Sequence, residues 1–280
     1  MKKLFSLGGT ALAGLVLLVA ASPAYSADVH AKPVYKAAPA PPVVPYSWTG
    51  FYIGGHVGGG WSTDWGGTAT QLPSPAAAGA QNSSFSQKGS SVVAGGQVGY
   101  NWQFAPSWVV GIETDLSWVR IHTTSVNPAL TPAGTPFVGA ADCPGTQICT
   151  TFMTRDLDFI GTVRGRAGYT WDRWLAYFTG GFAYGRVSYS ANFNVCCQFP
   201  VSFADAKTGW TVGGGLEYAL PGSWGNWTIR GEYLYVSLGG ASGTVLQMSP
   251  PDPLSRFSIR YDWNRTNIQI ARFGLNYKFN

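Results

Sequence analysis

Hydrophobic and polar positions alternate with a period of two through most of the chain. Between Val92 and Phe104 the even positions are apolar or small, whereas Gln97 and Gln103 occupy odd positions. Alternation of this kind predicts β-strands that have one apolar face and one polar face. The pattern predicts seven further strands, at residues 48–61, 110–118, 156–171, 174–189, 210–220, 227–235 and 271–279.

The eight predicted strands are long, and the connections between them alternate between short and long. Most of the strands run for about 11–17 residues, against a mean of about 5–6 in globular proteins, and a tilted strand crosses a bilayer in about 9–11. The short connections are 105–107, 172–173 and 221–226, and the long ones 62–90, 122–154, 191–206 and 239–262. Because lipid cannot form hydrogen bonds with the backbone N–H and C=O groups of an edge strand, the sheet must close into a barrel. We therefore predict an all-β fold, an eight-stranded antiparallel up-and-down transmembrane β-barrel with short periplasmic turns and long, mobile extracellular loops.

The charges on each predicted strand decide which face meets lipid. An Arg or Lys at the bilayer midplane costs about 2–4 kcal/mol, so the apolar face should point outward. On the strand at 156–171 this places Leu157 and Val163 outside, with Asp156 and Asp158 inside. A soluble lipocalin-like barrel, the alternative, would carry its charged face outside. Aromatic residues at strand ends suit the interfacial belts of a membrane barrel, namely Trp61, Trp108, Trp171, Trp174, Trp227 and Tyr277.

The N-terminal region has the features of an export signal. Lys2 and Lys3 precede an apolar run at Leu12–Ala21, and small residues follow it. The run is too short for a spanning helix, which needs about 20 residues. We predict a signal peptide at residues 1–26, a Pro-rich periplasmic spacer at 27–47 and the barrel at 48–280.

The composition excludes several classes of protein. Charged residues make up 11% of the 280 residues, against about 25% in an ordinary soluble domain. Aromatic residues reach 15%, which disfavours a disordered chain. The net charge of +5 falls to +3 when Lys2 and Lys3 are removed, and so weak a positive charge predicts no nucleic-acid partner.

The inward-facing charges are the main candidate site. An eight-stranded barrel is just wide enough for its own side chains, and buried charges must be paired. Two interpretations remain open: an ion-pair network that plugs the lumen, or a switchable gate in which re-pairing opens a narrow conduit. The predicted network comprises Glu113, Asp115, Arg164, Arg166, Glu217, Arg230, Glu232 and Arg272.

The cysteines and histidines offer few ligand sets. Four cysteines in an oxidising compartment predict disulfides: a Cys143–Cys149 bond with a vicinal Cys196–Cys197 bond, or two cross-links between the loops. The spacing matches no standard zinc pattern, and His56 is not spaced for ligation with the other histidines. Catalytic signature motifs are absent from the sequence, so we predict no enzyme activity, no metal and no cofactor.

Several segments together resemble a known family: WTGFYIGGHVGGGW (48–61), LAYFTGGFAYG (175–185), GWTVGGGLEY (209–218), RGEYLYVSLG (230–239) and FGLNYKF (273–279). The chain resembles the small porin-like outer-membrane β-barrel proteins of α-proteobacteria, often called outer-membrane immunogenic proteins, which are similar to the transmembrane domain of outer membrane protein A. The resemblance implies a C-terminal assembly signal at Phe273, Leu275, Tyr277 and Phe279, although Asn280 follows where a strict match ends in Phe. It also implies haemin binding, which is linked to some family members.

These observations predict an integral protein of the Gram-negative outer membrane, with a structural role in envelope integrity and a surface-exposed part. The alternatives are a narrow porin-like channel for small solutes, and haem or surface-ligand binding through the extracellular loops. The expected partners are outer-membrane lipid, lipopolysaccharide and the barrel-assembly machinery, with peptidoglycan or periplasmic contact through the spacer. We expect a monomer.

Overall fold

A computed structural model describes residues 45–63, 65–72, 82–128, 150–194, 198–248 and 256–279. Twelve β-strands and one short 3₁₀ turn, Gly222–Trp224, account for most of them. No helix within these ranges is long and apolar enough to cross a membrane. The strands are β1 (Gly50–Ser62), β2 (Trp65–Leu72), β3 (Asn82–Gln87), β4 (Ser90–Ala105), β5 (Trp108–Pro128), β6 (Thr150–Trp171), β7 (Trp174–Asn194), β8 (Gln198–Ala219), β9 (Trp227–Leu238), β10 (Ala241–Met248), β11 (Arg256–Trp263) and β12 (Thr266–Lys278).

Eight of the strands close into an antiparallel barrel, which confirms the predicted fold class. The hydrogen-bonded order is β1-β12-β9-β8-β7-β6-β5-β4, and β4 pairs with β1 to complete the ring. The three predicted short turns join β4 to β5, β6 to β7 and β8 to β9. In the second turn Asp172 adopts a φ of 53°, a left-handed conformation that Asp tolerates better than most residues.

The long connections contain more regular structure than the sequence predicted. Strands β2, β3, β10 and β11 form a second sheet of order β10-β11-β2-β3, and β5 to β8 extend well past the barrel. The predicted long loops therefore contain β-strands at these residues. Their strands are short or rich in Ser, Thr and Gly, so the alternation that reveals a strand is weak in them.

A β-bulge reverses the faces of β6 above the barrel. The register of β6 against β7 shifts between Leu157 and Phe159, and β5 carries a matching irregularity. An extra residue exchanges the inward and outward positions beyond it. Leu157, predicted to face outward, is buried inside, while Asp156 and Asp158, predicted to face inward, lie on the outer surface.

The outer face of the barrel carries an apolar band between two aromatic belts. Trp102, Trp108, Trp171 and Trp174 are exposed near the short turns, whereas Trp61, Trp118 and Trp210 are exposed toward the long connections. Trp108 and Trp118 lie ten residues apart on β5, which is about 25 Å of height for a strand tilted by about 45°. This height matches the apolar band of outer-membrane barrels.

Candidate functional site

The inward faces of five barrel strands bring the eight predicted charges together inside the ring. Each of these residues is at most 5% exposed. Four are arginines and four are carboxylates, so the cluster is formally neutral. β5 provides Glu113 and Asp115, β6 provides Arg164 and Arg166, β8 provides Glu217, β9 provides Arg230 and Glu232, and β12 provides Arg272.

Arg164 lies at the centre of this lumen charge network. Its Nη2 atom is 2.5 Å from Glu113 Oε1 and 2.9 Å from Asp115 Oδ2. Its Nη1 atom donates to Glu232 Oε1 at 3.0 Å. One guanidinium therefore joins three carboxylates, and charge-assisted hydrogen bonds of this kind are about twice as strong as neutral ones.

Arg272, on the last strand, completes the same group from the opposite side. Its Nη2 atom is 2.6 Å from Glu232 Oε2, and its Nη1 atom is 3.2 Å from Asp115 Oδ1. The same Nη1 atom lies 3.2 Å from Nε2 of His56. His56 Nδ1 is 2.6 Å from Gln97 Oε1. The imidazole is therefore held between a neutral amide and the Arg272 guanidinium.

Arg230 and Arg166 lie on the periplasmic side of Arg164, where Arg230 shares Glu113 with Arg164 and Arg166 pairs with Glu217. Arg230 Nη1 donates to Glu113 Oε2 at 2.5 Å, and Arg166 Nη2 donates to Glu217 Oε2 at 2.7 Å. The Arg166 guanidinium also lies 4.2 Å from the centre of the Tyr177 ring, a cation–π contact. Every arginine of the network thus has at least one carboxylate partner.

Several neutral side chains that the sequence analysis did not single out complete the network. Tyr52 donates to Glu113 at 2.6 Å, and the neighbouring strand has Gly99 beside it, where a Cβ would collide with the Tyr52 hydroxyl. These side chains share the inward parity of the charges, which is the signal that could have identified them. The others are Gln97, Ser117, Thr162, Thr228 and Asn276.

An apolar layer fills the ring on the extracellular side of the charges. The inward positions of β9 change from Glu232 to Leu234, Val236 and Leu238, which are at most 1% exposed. Their neighbours in this core come from β4 to β7 and β12 and include Val93, Val119, Ile160, Ala183, Ile268 and Ile270. The prediction that the lumen is lined by polar side chains therefore holds for only part of its height.

A second, smaller apolar layer closes the periplasmic mouth. Trp48, Val109, Leu175 and Tyr177 form a buried cluster there. Trp48 was predicted to begin the first strand, but β1 begins at Gly50, and the indole is only 1% exposed. The Trp48 backbone N–H donates to the Gln103 side chain at 2.9 Å, which holds the segment before β1 across the mouth.

The other candidate residues that the structure describes lie apart from the lumen charge network. Cys143, Cys149, Cys196 and Cys197 lie outside the described residues. His122 is exposed on the outer surface, where its Nδ1 atom contacts Asp156 and its Nε2 atom is 3.2 Å from the Thr124 hydroxyl. Within the described ranges no group of three or more His, Cys, Asp or Glu side chains could hold a metal ion. The C-terminal residues Phe273, Leu275 and Phe279 are exposed on the outer face, beside Tyr277.

A family model and two curated proteins match most of this chain. Residues 13–279 match the family model described as outer membrane protein beta-barrel domain. The chain is 33% identical over 251 residues to the 31 kDa outer-membrane immunogenic protein of Brucella melitensis biotype 1, covering 86% of this chain and 87% of that protein. The protein of the same name from Brucella suis biovar 1 matches equally well.

Solved outer-membrane proteins also resemble this structure loosely. The outer membrane protein OprG from Pseudomonas aeruginosa is 11% identical, with a TM-score of 0.38 over 82% of this chain and 97% of that one. The outer membrane protease OmpT from Escherichia coli is 9% identical, with a TM-score of 0.41 over 85% of this chain and 99% of that one. From the family model and the Brucella relatives, the chain belongs to the outer membrane β-barrel protein family and resides in the outer membrane of a Gram-negative bacterium.

Proposed function

We propose that this protein is a structural, non-conducting barrel that supports envelope integrity and presents a folded extracellular part at the cell surface. One observation carries the proposal: a neutral charge network, in which every arginine contacts a carboxylate, lies between two apolar layers inside the ring. A lumen built in this way is a folded core. It is suited to holding eight strands in place within the membrane.

The apolar layers bear directly on conduction. An ion in the lumen must exchange its hydration shell for protein ligands, and buried charges without partners are costly. The charge network could offer such ligands, but the closely packed side chains around Leu234 and Trp48 are mostly apolar. Hydrophobic constrictions are known to close channels by excluding water. Two of them in series favour a silent barrel.

The alternative function, a narrow channel for small solutes, requires more than a change of partners among the charges. Re-pairing Arg164 or Arg272 would rearrange only the middle of the lumen. The cluster around Trp48 and the core around Leu234 would also have to move, and both consist of closely packed side chains. The geometry therefore favours the plug over the gate.

The surface role and the partners follow from the outward face. The aromatic belts suit contact with outer-membrane lipid and lipopolysaccharide, and the outward C-terminal residues suit recognition by the barrel-assembly machinery. The Brucella relatives are named immunogenic proteins, which is consistent with an exposed extracellular part here. We propose no catalytic role and expect a monomer.

Single-channel conductance tests the proposal. Protein refolded in detergent, with its fold verified by a heat-modifiable gel shift, is added to a planar bilayer. We expect no discrete conductance steps, either for the wild type or for Glu217→Gln, because both apolar layers remain. Steps in the wild type whose size changes in Glu217→Gln would contradict the proposal and favour a gated conduit.

A further inference from the structure

The part of the fold beyond the extracellular aromatic belt encloses a cluster of aromatic side chains. The extended ends of β5 to β8 form one wall, and the β10-β11-β2-β3 sheet forms the other. We call the six inward rings between them the aromatic cluster: Trp65, Phe85, Tyr189, Phe203, Tyr261 and Trp263. The ring centres of Tyr189 and Trp263 are 5.1 Å apart, and those of Phe203 and Trp263 are 5.4 Å apart.

A buried arginine points into this aromatic cluster. Arg155, on the extracellular extension of β6, is 0% exposed. Its guanidinium lies 5.2 Å from the centre of the Trp65 ring and 5.5 Å from that of Tyr189. Its Nη2 atom donates to the carbonyl oxygen of Gly66 at 3.2 Å, but that oxygen already accepts a hydrogen bond from the Asn264 N–H at 2.9 Å.

Arg155 differs from the four lumen arginines in having no carboxylate partner among the described residues. Each arginine of the lumen charge network lies within 4.0 Å of at least one carboxylate oxygen. The Nε and Nη1 atoms of Arg155 have no hydrogen-bond partner. Burial lowers the pKa of Arg155 to about 10, so the side chain still carries its charge at neutral pH.

Other unpartnered polar atoms accompany Arg155. The Tyr189 hydroxyl and the Trp263 indole N–H are buried without a partner, and both belong to the same aromatic cluster. With Nε and Nη1 of Arg155 they make four orphaned donors. Buried polar groups are almost always hydrogen-bonded, so each exception requires an explanation. An acceptor that carries negative charge would satisfy the donors of this cluster and balance the charge of Arg155.

We propose that Arg155 and the aromatic cluster bind a small carboxylate with an apolar or aromatic body. The guanidinium fork matches a carboxylate geometrically and can bind both oxygens. The surrounding rings would pack against the apolar body. A monoanion balances the single charge of Arg155, whereas a doubly charged phosphate would leave one negative charge buried and unpaired.

The proposed entry to this site is the seam between the two walls. Among the described residues no strand pairing joins β8 to β10; a single Gly239 N–H to Thr208 carbonyl bond lies at the base of the seam. Lys207 and Asp205 form an ion pair of 2.7 Å there, with Asp205 exposed to solvent. The Lys207 Nζ atom lies 6.0 Å from the centre of the Tyr189 ring, so the seam borders the aromatic cluster and is the proposed entry for the ligand.

Benzoate is the probe for this site, and benzamide is its uncharged counterpart. Both are titrated into the refolded full-length mature protein, with binding followed by calorimetry and tryptophan fluorescence. We expect benzoate to bind, and benzamide to bind at least about tenfold more weakly, since only the carboxylate carries a charge that pairs with the guanidinium. Absence of benzoate binding to the wild type at millimolar concentration would overturn the proposal.

The variants separate a binding role from a purely structural one. Arg155→Met should lower benzoate affinity at least about tenfold, whereas Arg186→Met, which removes an exposed arginine from the outer face of β7, should leave it unchanged. If Arg155→Met fails to fold, Tyr189→Phe removes one orphaned donor and should still weaken binding. Unchanged benzoate affinity in a folded Arg155→Met or Tyr189→Phe protein would show that these groups only support the fold, and would contradict the proposal.

Discussion

Replacement of Arg164 by Met is the most direct test of the lumen charge network. Arg164 pairs with Glu113, Asp115 and Glu232 at distances of 2.5, 2.9 and 3.0 Å. Met replaces the aliphatic stem of Arg and carries no charge, so the variant leaves four buried carboxylates with three arginines. The network would then hold one uncompensated negative charge.

The size of the effect follows from the contacts that remain. Removing one partner of a buried ion pair costs about 3–5 kcal/mol. Glu113 would keep Arg230 at 2.5 Å, while Asp115 and Glu232 would both depend on Arg272. Because every carboxylate retains one cation, we expect a loss of about 3–5 kcal/mol in the free energy of unfolding, not a multiple of it.

The assay is reversible urea unfolding in lipid vesicles, followed by tryptophan fluorescence and by the heat-modifiable gel shift. The matched control is the double variant Arg164→Met/Asp115→Asn, in which the network is neutral again and the amide oxygen of the new side chain can still accept from Thr162. We expect it to be more stable than Arg164→Met alone. The reasoning would be refuted if Arg164→Met lowered the free energy of unfolding by less than about 1 kcal/mol, which is the range of an exposed ion pair. It would also be refuted if the double variant lost the sum of the two single-variant losses.

Two further predictions concern the orientation of the barrel. Val163→Arg, on the outer face within the apolar band, should lower folding stability in lipid by about 2–4 kcal/mol, whereas Val126→Arg, exposed on β5 beyond the extracellular belt, should have little effect; equal refolding yields of the two would contradict the face assignment. On intact cells Lys88, exposed between β3 and β4, should react with a membrane-impermeant amine reagent, and Lys278, at the periplasmic mouth, should not; mass spectrometry of the two peptides distinguishes them.

The barrel and its charges were predictable because lipid imposes a simple rule on each strand. Glu113 and Arg164 stand at alternate positions among apolar residues, and no charged face can point at lipid without a large cost. The alternation of side chains between the two faces of each strand was therefore enough to predict that the eight charges lie inside. Which arginine pairs with which carboxylate depends on the stagger of the strands around the ring, and a sequence pattern contains no information about that.

The features that escaped prediction arise where the alternation stops. In β9 the run Tyr233–Leu238 is apolar on both faces, except for Ser237, so periodicity cannot reveal that its inward side begins a new layer. The bulge at Leu157 is a single extra residue without a distinctive sequence. Trp48 precedes the strand to which the pattern assigned it. The sequence cannot show whether such a tryptophan faces lipid at the interface or packs inside the periplasmic mouth, because that depends on its contacts in the folded barrel.

The placement of Arg272 on the last strand has a consequence for the order of assembly. Arg272 contacts Asp115 and Glu232, and β12 joins β9 to β1 to close the ring. Before β12 is in place, Asp115 and Glu232 each lack one of their two cations, and the edges of the sheet are unpaired. Closure supplies the missing hydrogen bonds and the missing charge in one event. The barrel should therefore form cooperatively, because an intermediate without β12 has unpaired sheet edges and one uncompensated negative charge, and both oppose its entry into the lipid interior.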